Sequence, residues 1–150
     1  MFQYSFSKKY FEFVFYWRSD IYSEKLVFPP EAQQCYAMQI LQKPVSREEL
    51  KRIAENTFGD MVKCVADVHL NLLAIDAELH ADLERLLLDN GSAQEDLWGF
   101  NLWVEEEGQD FVEFDSLINI RAWQGNPSRD VLNPEVREAI KSIVAKFITE

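Results

Sequence analysis

Between residues 97 and 104 the side chains alternate, with Trp98, Phe100, Leu102 and Val104 on one side of an extended chain and Asn101 on the other. A period of two cannot be laid on a helix, so this stretch has to be a strand with one buried face. An acidic turn at residues 105–110, containing Gly108, then reverses the chain. Residues 111–122 are expected to return as a second strand, with Val112, Phe114, Ile118 and Ile120 on its apolar face. Such a hairpin must be covered on its apolar side, which ties the fold to whatever helices the chain can supply.

The sequence signals three. Ser46 and Glu49 stand three apart as a capping box, ahead of an apolar stripe of Leu50, Ile53, Ala54 and Phe58 that Gly59 closes. A second helix over residues 80–88 turns Leu79, Leu83, Leu86 and Leu87 inward and stops at Asn90 and Gly91. Asn133 caps the third, with Pro134 in its first position and Val136, Ile140, Ile143, Val144, Phe147 and Ile148 as the buried stripe. Further strands are expected over residues 38–43, 61–68 and 72–75. The order is then β-α-β-β-α-β-β-α. It describes an α+β fold with a mixed or mostly antiparallel sheet and helices mainly on one face.

Composition divides the chain of 150 residues in two. All five tyrosines and six of the eleven phenylalanines precede Met38. The first 37 residues carry four basic and four acidic side chains, so the whole net charge of −11 belongs to residues 38–150. A shift of this size marks a boundary. Residues 1–37 are read as an atypical aromatic-rich N-terminal extension, a gene-model artefact with the true start near Met38, and residues 38–150 as a single α+β domain. The apolar stretch of residues 10–17 is interrupted by Glu12, lacks a cleavage site and is far too short to span a membrane. The acidic balance disfavours general binding to nucleic acid or anionic lipid. Two cysteines, Cys35 and Cys64, make no framework and fit a reducing, cytoplasmic setting.

Chemistry is sought on the polar side of the long hairpin. The odd positions of its return strand are Glu113, Asp115, Leu117, Asn119 and Arg121, and Asn101 shares their parity. The next loop adds Gln124, Asn126, Ser128 and Arg129. Arginines beside amides suit a carboxylate or phosphate, so a small polar or anionic ligand is the leading expectation. In it Arg121 and Arg129 hold charge, Asn101, Asn119 and Asn126 orient the ligand, and His80 with Asp115 transfers protons. The bland alternative is a solvated sheet face with cross-strand ion pairs, Asp115 with Arg121 among them. Glu78, His80 and Asp82 form a weak metal set, because a spacing of two places ligands on different sides of a helix. Trp123 is the best candidate for an exposed aromatic at a binding site. A rival of another class is an acidic module that masks a basic protein partner, resting on the charge and the acidic turn. No cofactor fingerprint is present, and the cofactor is unknown.

The segments FGDMVKCVADV (58–68), ELHADLERLLLDNGSAQEDLWGFNLW (78–103) and FDSLINIRAWQGNPSR (114–129) resemble a small bacterial family catalogued only as a domain of unknown function. The likeness covers residues 38–150 and implies no established activity. Carried onto this chain, its signature residues include Glu78, His80, Asp82, Gln94, Trp98, Asn101, Asp115, Ser116, Asn119, Arg121, Gln124, Asn126, Ser128 and Arg129. The family pattern places glycines before the Glu-Leu-His run, where this chain has Asp76 and Ala77.

Overall fold

The computed structural model describes residues 38–150. The aromatic-rich extension over residues 1–37, the start at Met38 and Cys35 lie outside the described residues. The chain runs β1 (Gln39–Ile40), β2 (Val45–Ser46), α1 (Arg47–Asn56), β3 (Met61–Asp67), β4 (Leu72–Ile75), α2 (His80–Asp89), β5 (Leu97–Trp103), β6 (Val112–Glu113), α3 (Pro134–Phe147) and β7 (Ile148–Thr149). Single turns of 3-10 helix occur at Gln94–Asp96, Leu117–Asn119 and Ala122–Gln124. Five strands form one sheet in the order β1-β4-β3-β5-β6, and every neighbour is antiparallel. This is the expected α+β class. The expected order gains two short strands, β2 and β7, which pair parallel to each other in a separate ladder.

Local chemistry explains the helices. Ser46 accepts a hydrogen bond from the Glu49 amide at the start of α1, and Asn133 accepts one from Glu135 at the start of α3. Each such cap is worth about 1 kcal/mol. Leu50, Ile53 and Ala54 of α1 and Ile140, Ile143, Val144 and Phe147 of α3 pack with the even-numbered side chains of β3 and β5. That face is the main core. Leu83 and Leu87 of α2 cover the opposite face, against Val65, Ala74 and Leu97. The helices thus divide two against one across the sheet. Phe58 and Leu79, expected inside, are exposed: Phe58 lies beyond the end of α1 under the Lys63 ammonium, and Leu79 is the N-cap residue of α2.

The long return strand does not form. β6 stops after two residues, and the chain leaves the sheet for the 3-10 turn at Leu117–Asn119, so Leu117 and Ile120 are exposed. Gly99 is the reason. A Cβ there would lie 2.5 Å from the Ser116 hydroxyl and 2.7 Å from its Cβ, so only glycine lets residues 116–118 rest on β5. The edge of β5 left open by the short β6 is closed by a side chain. Asn119 Oδ1 accepts from the Gly99 amide and Asn119 Nδ2 donates to the Gly99 carbonyl, both at 2.8 Å. One carboxamide thereby stands in for a strand residue.

Candidate functional site

The register across β3, β5 and β6 sets Lys63 opposite Asn101 and Asn101 opposite Glu113. These residues belong to the face that α2 covers, at the end of the sheet beyond the start of that helix. His80 is the first residue of α2, and its Nε2 donates to the Phe100 carbonyl at 2.9 Å. Together with Asp115 and Arg129 they line a concavity of about 540 Å³, with Trp103, Leu117 and Ile118 as its apolar walls.

Hydrogen bonding within it is asymmetric. Asn101 Nδ2 and Trp103 Nε1 both donate to Glu113 Oε2, at 2.8 and 3.0 Å. Arg129 forks onto Asp115, Nε to Oδ1 at 2.6 Å and Nη2 to Oδ2 at 3.0 Å. Asn101 Oδ1 and the Ser116 hydroxyl are buried without a partner. Burial holds the His80 imidazole below its ordinary range, and nearby Lys63 adds to that; the Phe100 carbonyl, Asp115 and Asn101 act in the opposite direction. The ring is therefore neutral near pH 7, with the proton on the nitrogen facing Phe100 and Nδ1 left as an acceptor.

Of the residues picked from the sequence, the structure brings His80, Asn101, Asp115 and Arg129 together. It does not bring the others. Arg121 is 4% exposed, and its guanidinium donates to the main-chain carbonyls of Ile118, Gln94 and Leu97 and approaches Glu84 at 3.4 Å. Its expected partner Asp115 belongs to Arg129 instead. Asn119 is occupied by Gly99 and the Arg129 carbonyl. Asn126 bonds the carbonyls of Asn119, Ser128 and Asp130 and the amide of Leu132. Gln124 holds the Glu95 carbonyl, and the Ser128 hydroxyl accepts from the Asp130 amide. These amides and Arg121 satisfy the main chain of an irregular segment that no ladder serves. Trp123 is 72% exposed but does not line the concavity.

Glu78 and Asp82 line a different hollow from His80, beside Arg85 and Asp89. Among the described residues no group of three or more His, Cys, Asp or Glu is arranged to hold a metal ion. Lys63 and Trp103 were not singled out for the site, and Ser116 entered only through the family resemblance. Face parity within one strand finds Glu113, but only the β3–β5 register brings Lys63 to the same row.

The family model described as Protein of unknown function (DUF5674) matches residues 39–147. The chain belongs to the DUF5674 family. No curated protein and no solved structure matches it. In this DUF5674 chain Asp76 takes φ +73°, a left-handed conformation suited to glycine, and its carboxyl is 6% exposed with Oδ2 unpartnered. Burial raises its pKa. The backbone here has the geometry a glycine would serve. No described helix is long and apolar enough to cross a membrane.

Proposed function

We propose that the concavity between the start of α2 and the β5–β6 edge binds a small polar ligand. His80 and Asp115 exchange hydrogen bonds or protons with it. The observation that carries this reading is convergence. His80 from the start of α2, Asn101 from β5, Glu113 and Asp115 from β6 and the residues after it, and Arg129 from the later loop come to one hollow of about 540 Å³, a size usual for small-molecule sites. Neither arginine is free for an anionic ligand, because Arg121 serves the main chain and Arg129 already holds a carboxylate, so such a ligand would rest on the Lys63 ammonium. Thermal-shift screening with nucleotides, sugar phosphates, carboxylates and amines tests the proposal, repeated on Arg129→Ala and His80→Gln. A ligand that raises the midpoint for the native chain and not for the variants supports it. No shift with any class, or a shift that both variants keep, sinks it.

A second reading rests on the turn after β5, where Glu105, Glu106, Glu107 and Asp110 are all exposed. As an acidic interaction module the chain would retain a stoichiometric basic protein at low salt and release it as salt rises. Retention that is indifferent to salt counts against it.

A further inference from the structure

Charge and register together narrow the ligand. Four ionic side chains line the hollow, Lys63 and Arg129 against Glu113 and Asp115, so its net charge selects neither a cation nor an anion. Two of the four cancel locally, because Arg129 forks onto Asp115. The other two do not meet. Among the described residues the Lys63 ammonium has no hydrogen bond and no ion pair; it stands 4.5 Å from the centre of the Phe58 ring, which offers no oxygen to its N–H groups. Glu113 accepts only from uncharged donors, the Asn101 amide and the Trp103 indole.

The register explains why this cation and this carboxylate stay apart. Lys63 is opposite Asn101 and Asn101 is opposite Glu113, so a whole strand lies between the two charges. Two strand spacings set their backbones about 10 Å apart. The buried groups of the lining that lack a partner favour neither polarity: Asn101 Oδ1 accepts, and the Ser116 hydroxyl can donate as well as accept.

Resting on the binding reading above, we infer that the hollow takes a small zwitterion, an amino acid whose carboxylate lies on Lys63 and whose ammonium lies on Glu113. A ligand with one charge satisfies one end of the row and leaves the other end unpaired, whereas a zwitterion meets both. Trp103, Leu117 and Ile118 receive its methylenes, with Trp103 anchored at the Glu113 end by its indole N–H.

The test titrates the full chain with two isomeric zwitterions, L-norvaline and δ-aminovalerate. Their shared fragments are the controls: n-valerate lacks the ammonium, and n-butylamine lacks the carboxylate. Binding is followed through the His80 ring and Trp103 indole NMR signals. At least one zwitterion should saturate at millimolar concentration and bind at least tenfold tighter than either fragment. Lys63→Met should bring that zwitterion down to the level of n-butylamine, and Glu113→Gln to the level of n-valerate. Both substitutions keep the length of the side chain, and an unaltered urea midpoint shows that the fold is kept. A fragment that binds as tightly as both zwitterions, or an advantage that either variant keeps, overturns the zwitterion class and leaves the site standing. Silence with all four probes overturns the class as well; the site itself falls only if the thermal-shift screen above is silent too.

Discussion

Replacing Arg121 separates a fold-building arginine from a ligand-binding one. Its guanidinium donates to the carbonyls of Ile118, Gln94 and Leu97, lies 3.4 Å from Glu84 and sits 5.3 Å from the centre of the Trp98 ring. Hydrogen bonds from a charged group contribute about 1.5–3 kcal/mol each, and a buried carbonyl left unpaired costs about 1–3 kcal/mol. The three carbonyls are neighbours, so these terms overlap, and water reaches some of them after truncation. Arg121→Ala should therefore lose about 3–5 kcal/mol, in line with breaking a buried charged pair. For a domain of this size that lowers the thermal midpoint by about 10–15 °C. Arg121→Lys is the sharper variant. It keeps the charge, but one ammonium cannot reach acceptors spread across a planar fork, and a loss of about 2 kcal/mol or more is expected. Urea unfolding followed by tryptophan fluorescence gives both values. A loss below about 1 kcal/mol for Arg121→Ala would refute the structural assignment. So would a Lys variant as stable as the native chain, and the ligand role for Arg121 would then return.

Asp76→Gly should stabilise the chain by about 1 kcal/mol at pH 7, because it relieves a left-handed backbone and removes a buried carboxyl, whereas Asp76→Ala keeps the backbone strain and should gain less. Urea midpoints check the ranking, and an Ala variant that outperforms Gly contradicts it. Gly99→Ala should cost about 1–3 kcal/mol by driving a methyl into Ser116. Because both Ser116 Oγ and Cβ are in the way, Ser116→Gly in the same chain should recover part of that loss; strict additivity in the double-mutant cycle would show that the contact is not the cause. Burial lowers the His80 pKa from 6.5, so the unfolded chain binds that proton more readily than the folded one. The His80 contribution is whole above pH 6.5 and is lost as pH falls through 6.5 toward the lowered folded value. Unfolding free energies between pH 7.5 and 5 should decline less steeply in His80→Gln than in the native chain, and parallel curves would be the contrary result.

The parts of the fold that were legible are those written in local terms. The Ser46 and Asn133 caps, the positive φ of Gly59 and Gly91, and the alternation of β3 and β5 each depend on residues a few positions apart. The return strand was misread because its alternation is real but its backbone pairing is not. Period two records which residues are apolar, and it is blind to a glycine on the neighbouring strand that admits a hydroxyl. The candidate site divides along the same line. His80 was taken from the start of a helix, Asn101 and Asp115 from the polar face of the hairpin and Arg129 from the loop after it, and they converge. Arg121 and Asn119 were chosen by the same face parity and Asn126 from the same loop, and they became supports for irregular main chain. A side chain's type says what it can bond, while the nearest unsatisfied partner decides what it does.

By itself, then, the sequence determined the α+β class, three helices, two of them with side-chain caps, and the faces of β3 and β5 that meet the main core. Capping, turn chemistry and period are local, and local rules carry them. Only the tertiary structure decided that α2 crosses to the opposite face, that β6 ends after two residues, and that Lys63, Asn101 and Glu113 stand in one row beneath His80. Those outcomes depend on register and on which buried groups lack a bond, and both are set between residues far apart in the chain.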